Sequence, residues 1–562
     1  MVHVDKGTRV ACRSVPTLHL HVKRGTPTHL WSSAATCETR SSKRQSVTRV
    51  PIVRARKVTW SLPGSALVHI KGAPFQNVKY FAFGPYFNFS VGGVEWPQQL
   101  EELVLGKVFN RSVKHLLLPA SLQGLTFGES FKQPISGIEW PASLQYLIFR
   151  GDFEQTVGDI VWPSSLQRLV FCRALERPLD EISWPKPLEI LVICRGFNQR
   201  IERLALPGSL KQLALGSDFN QPIDAEVLPR SLQSLNLGYA FSQPIDKVVF
   251  PPSLQRLTFN GNVTVLVGEI TWPTSLRTLV FGDAFSAPVD RVVFPVLLQK
   301  LSFGQDFNRP IDGVAWSGSL LELSFGRDFN QPVESVTWPA SLQHLAFGKS
   351  FNQPIGGVSW PASLQELTFN GKHDSLLDDM KLSPDVQHFF SLGADFNQPI
   401  DGVLWPASLR LLAFGECFDQ PIDGVSWPTS LRHLSFSRDF RLPNENYKWP
   451  ASLQQLTIAG RPDDSLPGFD HPMGSDIPWP QSLRYLFFGK AFNQPIADRP
   501  RKQLRSGRHF NQPKTGFVWP ASLQPLILGN FGQPKAEVVW PVSRQELVFA
   551  DRFNQPSTGS RG

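Results

Sequence analysis

The residues with most chemical potential in this chain are two cysteines, Cys172 and Cys194, set 22 positions apart in near-identical surroundings, LVFCRA and LVICRG. If those surroundings are neighbouring strands, the two Cα atoms lie about 5 Å apart, a separation a disulfide can span. The total count argues the other way. Five cysteines, Cys12, Cys37, Cys172, Cys194 and Cys417, are odd in number and follow no framework spacing, which favours a reducing intracellular compartment, the cytoplasm, and two small residues standing in for a glycine. Histidines are scattered, and none shares metal-ligand spacing with Cys, Asp or Glu, so no metal or other cofactor is expected. The tripeptide Gly348, Lys349, Ser350 has the ending of a phosphate-binding loop, but that loop needs a further glycine at 343, where Gln stands. Asp180, Asp224 and Asp246 occupy one recurring place, yet Lys114, Ser136 and Gly356 occupy it too, as turn residues facing water would. No nucleophile is paired with a base, and no catalytic activity is expected.

The element that positions all of these residues is a repeat. FNQPVESVTWPASLQHLAFGKS, Phe329 to Ser350, reappears 22 residues later as FNQPIGGVSWPASLQELTFN and 22 residues earlier as FNRPIDGVAWSGSLLELSFG. Its first position runs without an insertion from Phe87 through Phe109 and onward to Phe351, interrupted only by Leu175 and Val263. A fixed period of this kind marks a solenoid, a stack of units that bury their apolar faces on one another. Within a copy, Leu342, Leu345 and Phe347 alternate at the end with outward residues, which is strand periodicity. Pro332, Pro339 and Gly348 leave no stretch of the ~10 residues a helix needs. The expected fold is a repeat solenoid with one short parallel β-strand per 22-residue coil, irregular or 3₁₀ return segments, and little α-helix.

Tryptophan is concentrated as well. Fourteen of 16 fall at one repeat position, mostly before proline, where extended geometry lets each indole stack on the ring of the next coil. The expected result is a spine of stacked tryptophans.

The formal charge of +9 is local. Residues 1–60 carry 12 Lys and Arg against two acids and show no apolar periodicity, so they read as a basic disordered tail. Their Arg, Ser and Thr content is also that of an organelle transit peptide, which leaves import open. From 61 to 562 the chain reads as one solenoid of about twenty coils, irregular at 371–395, 459–478 and 493–509. No apolar run is long enough to span a membrane.

The pairing of FNQPI with WPASLQxLxFG closely resembles the FNIP repeat, a relative of the leucine-rich repeat, over about Ser61 to Pro556. The resemblance implies a binding surface, often for proteins. The asparagine of the leucine-rich pattern has no strict counterpart, its place falling on Asp306, Asp328, Asp395 or Ser350, so no continuous asparagine ladder is expected.

The informative variation lies on the strand. Its third place takes Tyr146, Arg168, Arg256, Lys300, His344, Glu366, His433 and Tyr485 in different copies, while its fifth stays small or β-branched, as in Thr126, Val170, Ala214 and Ser302. Both places should face outward, giving a low floor flanked by variable side chains. The function read from this is a non-enzymatic scaffold that binds protein partners through those eight residues. Two other classes fit the sequence: a structural or adhesive rod, and nucleic-acid binding confined to residues 1–60, which would depend steeply on salt. The sequence leaves the oligomeric state undetermined.

Overall fold

The computed structural model describes residues 57–60, 77–364, 395–436 and 449–458 apart from short gaps, together with isolated strands elsewhere. The chain divides into two compact units, residues 1–261 and 262–562. Each is a parallel β-solenoid.

In the first unit a parallel ladder begins at Lys57–Trp60 and advances one strand per coil through Tyr80–Phe83, Glu102–Val104 and Gly124–Phe127 to Arg256–Phe259. Val58 takes the inward place that Phe81 and Leu103 take next, and is fully buried. Within residues 1–56, strands are assigned to Thr17–Leu20, Thr36–Thr39 and Thr48–Pro51, the first running parallel to Lys57–Trp60 and the other two pairing antiparallel. The second unit repeats the pattern from Thr278–Val280 through Lys300–Ser302, Glu322–Ser324 and His344–Ala346 onward. The register equals the sequence period, Leu323 lying opposite Leu345.

Three tight turns close a coil. In the copy that opens at Phe329, Val336 N–H donates to the carbonyl of Val333 (3.3 Å), Leu342 N–H to Pro339 (3.0 Å), and Phe351 N–H to Gly348 (3.3 Å). Each turn needs only four residues, which is why no helix is required. The one helical turn among the described residues, the 3₁₀ segment Ile201–Leu204, follows Arg200, which stands where proline stands in the QPI copies.

The core combines buried aliphatic side chains, such as Leu301, Ile311 and Leu342, with ladders of aromatic rings. Phe307, Phe329 and Phe351 are fully buried and stack at 6.1 and 6.2 Å with interplanar angles of 2 and 3°. A second ladder, Phe303, Phe325 and Phe347, stacks at 5.4 Å per step. The tryptophans stack where consecutive copies carry them, Trp316 to Trp338 at 6.4 Å and Trp338 to Trp360 at 6.2 Å. They lie outside the phenylalanines and meet them edge-on, as Trp338 meets Phe347. The spine expected of tryptophan therefore exists, but phenylalanine forms the fully buried centre. Close stacking also explains Gly348: a β-carbon there would fall 1.6 Å from the carbonyl oxygen of Gly326 one coil earlier.

The irregular segments 371–395, 459–478 and 493–509 lie largely outside the described residues. No helix among the described residues is long and apolar enough to cross a membrane.

Candidate functional site: the outward face of the sheet

The alternation expected of the strands holds. In His344–Ala346, as in most strands, the middle leucine is buried and its two neighbours are partly exposed. The third and fifth places thus share one outward face. Tyr146 and Arg168 are directly opposite each other, over a floor that includes Thr126, Ile148 and Val170. Arg256 lies on the same face of the first unit, opposite Ser234. In the second unit Lys300, Glu322, His344 and Glu366 follow one another in register, and His433, Gln455 and Tyr485 form a further row. The side chains of Glu366 and Tyr485 lie outside the described residues.

These positions differ in what they offer. The ammonium of Lys300 is engaged by Glu322 at 2.6 Å, an exposed pair that neutralises it as an anchor. His433 is largely enclosed, and burial first, then the charge of Arg432, hold its imidazole below the ordinary range against a hydrogen bond with Gln455. Tyr146 is shaped by what stands two strands away. The intervening residue is Gly124, and the tyrosine ring covers it so closely that a β-carbon at 124 would lie 1.8 Å from Cζ. The phenol reaches Glu102 and donates a hydrogen bond to it; burial, that bond and the carboxylate charge push its titration well above the tyrosine range. Tyr80 is raised too, by burial first and then by Glu102, and the ammonium of Lys57 sits 4.3 Å above its ring centre. Arg150, Arg168 and Arg195 make no ion pair among the described residues.

The FNIP Repeat profile matches residues 109–152, 197–240, 219–262, 307–350, 329–372 and 396–439. CroV588, whose crystal structure is described as a novel circular LRR protein, is 33% identical over 89% of this chain and 76% of its own, with a TM-score of 0.64. The chain belongs to the FNIP-repeat family. Its fold is the leucine-rich-repeat-like solenoid expected from the sequence. YopM from Yersinia enterocolitica aligns over 79% of this chain and 91% of its own at 18% identity and a TM-score of 0.41. No curated protein matches.

The FNIP motif itself contains two roles that the sequence reading missed. The asparagine of FNQP, two places beyond Asp306, Asp328 and Ser350, forms a ladder of its own: Asn308 Oδ1 accepts from Asn330 N–H (3.0 Å) and Gln331 Nε2 (2.8 Å), and Asn330 Oδ1 accepts in turn from Asn352 N–H (2.9 Å) and Gln353 Nε2 (3.0 Å). The serine of WPASLQ donates to the leucine carbonyl one coil back, as Ser341 does to Leu320 and Ser363 to Leu342, both at 2.7 Å. The same seam bridges an irregular copy, since Asn352 Oδ1 accepts from Asn397 N–H (3.0 Å) and Ser408 donates to Leu364 (3.0 Å). The signal was available, because this asparagine and this serine recur at fixed places, as polar residues do when each bonds to the coil beside it. Both belong to the scaffold rather than the outward face.

Among the described residues no group of three or more His, Cys, Asp or Glu could hold a metal. Asp246 is exposed, as a solvated turn residue would be, whereas Asp180 and Asp224 lie outside the described residues.

Proposed function

We propose that this FNIP-repeat chain is a non-enzymatic scaffold that binds protein partners through the outward face of its sheet, with Tyr146 and Arg168 as the principal anchors. The observation that carries this reading is their pairing. A tyrosine held in place over Gly124 stands beside an arginine with no ion-pair partner among the described residues, above a floor of β-branched side chains. Tyrosine and arginine are the residues that most often dominate interface energetics, and a pre-positioned ring loses little freedom on binding. Arg150 and Arg195 add uncompensated positive charge, which favours partner segments that carry carboxylates.

The test is a comparative capture from cell lysate by the intact protein, by Tyr146→Ala/Arg168→Ala, and by the control Asp246→Ala/Lys247→Ala, whose sites are exposed in a return turn. A partner retained by the control and bound about tenfold or more weakly by the first variant supports the reading, since a hot-spot pair contributes at least ~1–2 kcal/mol. Equal capture by all three proteins moves the site off the sheet.

A further inference from the structure

Cys172 and Cys194 hold the place that glycine takes in most copies, and the chain is rebuilt around them. At that place there is normally no room for a β-carbon: one added to Gly216 would lie 2.4 Å from the backbone of Cys194. The two coils avoid such a collision by continuing as strand. Arg168–Ala174 and Ile190–Arg195, at seven and six residues, are longer than any other strand described. Their ladder carries a bulge: Ile193 faces Phe171 and Arg195 faces Ala174, so Cys194 alone opposes both Cys172 and Arg173.

The bulge brings the thiols together. Both are free and only partly buried, and they share a hydrogen bond that Cys194 donates to Cys172. Two guanidinium groups, Arg150 and Arg168, are near enough to favour a negative charge on Cys172, with Arg195 near Cys194. The shared hydrogen bond, assisted by these arginines and opposed by burial, brings the Cys172 thiol down to about 7, while the proton it lends keeps Cys194 above the thiol range. One sulfur thus gives up its proton more readily than an ordinary thiol, while its neighbour keeps its own.

We propose that Cys172 and Cys194 form a peroxide-oxidisable dithiol, in which Cys172 is the attacked sulfur and Cys194 resolves it into a disulfide between adjacent coils. In the first step the Cys172 thiolate attacks one oxygen of hydrogen peroxide. The O–O bond breaks, the departing hydroxide takes up a proton and leaves as water, and Cys172 becomes a sulfenic acid, oxidised by two electrons as the peroxide is reduced. In the second step Cys194 gives up its proton and its sulfur attacks Cys172 Sγ. The S–O bond breaks, hydroxide leaves with that proton as a second water, and the S–S bond forms. Strands in register sit about 4.8 Å apart, inside the range of Cα separations a disulfide spans. The product would clamp two coils covalently at the edge of the face that carries Arg168.

The experiment uses the full chain. Trypsin separates the two cysteines, Cys172 falling in residues 169–173 and Cys194 in residues 174–195, because the intervening Arg177 and Lys186 both precede proline. After treatment with hydrogen peroxide and blocking of remaining thiols, the expected product is these two peptides joined, lighter by two hydrogen atoms and separated again by a reductant. In Cys194→Ser, dimedone should label Cys172. In Cys172→Ser, labelling of Cys194 should be much slower. Arg150→Gln should slow oxidation of Cys172 by about threefold at neutral pH, the net of a smaller thiolate fraction and a more nucleophilic sulfur. Absence of the joined peptides, or labelling of Cys194 in Cys172→Ser as fast as that of Cys172 in Cys194→Ser, overturns the proposal. So does linkage of either cysteine to the exposed Cys417 with equal yield.

Discussion

Tyr146 lies across Gly124, its ring filling the space where a side chain on the neighbouring strand would stand. The ring needs that vacancy to reach Glu102, two strands away. The atoms in the way are the far end of a side chain, so a methyl group at 124 can be accommodated by swinging the ring outward. Gly124→Ala should change stability by no more than about 1 kcal/mol, the span of strand-propensity differences, because the ring that covers the site can move. It should also return the Tyr146 phenol toward its ordinary titration range. An absorbance titration of the variant against Tyr146→Phe would show this, and an unmoved phenol would mean that the ring finds Glu102 by another route.

Glycine at the end of the strand is a different case, because the obstacle is backbone. Gly348→Ala places a β-carbon 1.6 Å from the Gly326 oxygen, whereas Gly356→Ala, in a return turn, meets nothing within 4 Å. Chemical denaturation should find the first destabilised by about 3 kcal/mol or more, at the upper end of overpacking costs. The second should stay within about 0.5 kcal/mol of the parent. Similar midpoints for both would show that neighbouring coils separate easily.

Trp338 is held between Trp316 and Trp360 and edge-on to Phe347. Trp338→Ala should cost about 3–5 kcal/mol as a large-to-small core change. Because each coil touches only its neighbours, faster amide exchange should be concentrated in residues 329–369. Exchange that rises evenly along the chain would argue for coupling beyond adjacent coils.

His433 connects stability to pH. Burial keeps its imidazole below the ordinary histidine range in the folded state, so the unfolded chain binds a proton that the folded chain refuses. Stability from this group is complete above the unfolded value of about 6.5 and declines as pH falls from there toward the depressed folded value. The urea midpoint should therefore be lower at about pH 5 than at about pH 7.5, and less so in His433→Gln. Equal pH dependence in the two proteins would assign the effect to other groups.

The period, the alternation along the strand and the stacking of rings were legible in the sequence because each follows from one residue type recurring at one place. What a recurring residue bonds to was not. Asn330 and Ser341 find their partners 22 and 21 residues away, at positions that look unremarkable in a single copy. The outward face was legible as a set of positions but not as a set of free groups. Lys300 is occupied by Glu322 and His433 is enclosed, whereas Tyr146 owes its setting to a glycine that the variation at the third place makes look incidental.

The seam hydrogen bonds that join Asn352 to Asn397 and Leu364 to Ser408 span an entire irregular copy. Along that edge, the coil opening at Phe396 meets the coil opening at Phe351 as though nothing had been written between them. A joint that recurs between coils, as from Asn308 to Asn330 and from Asn330 to Asn352, makes those coils interchangeable cassettes. A gene encoding it can duplicate or excise a whole coil and leave both new ends chemically matched, while gain of a partial coil is extruded rather than propagated. Evolution can thus adjust the length of the outward face in steps of one coil, independently of the side chains each coil presents there.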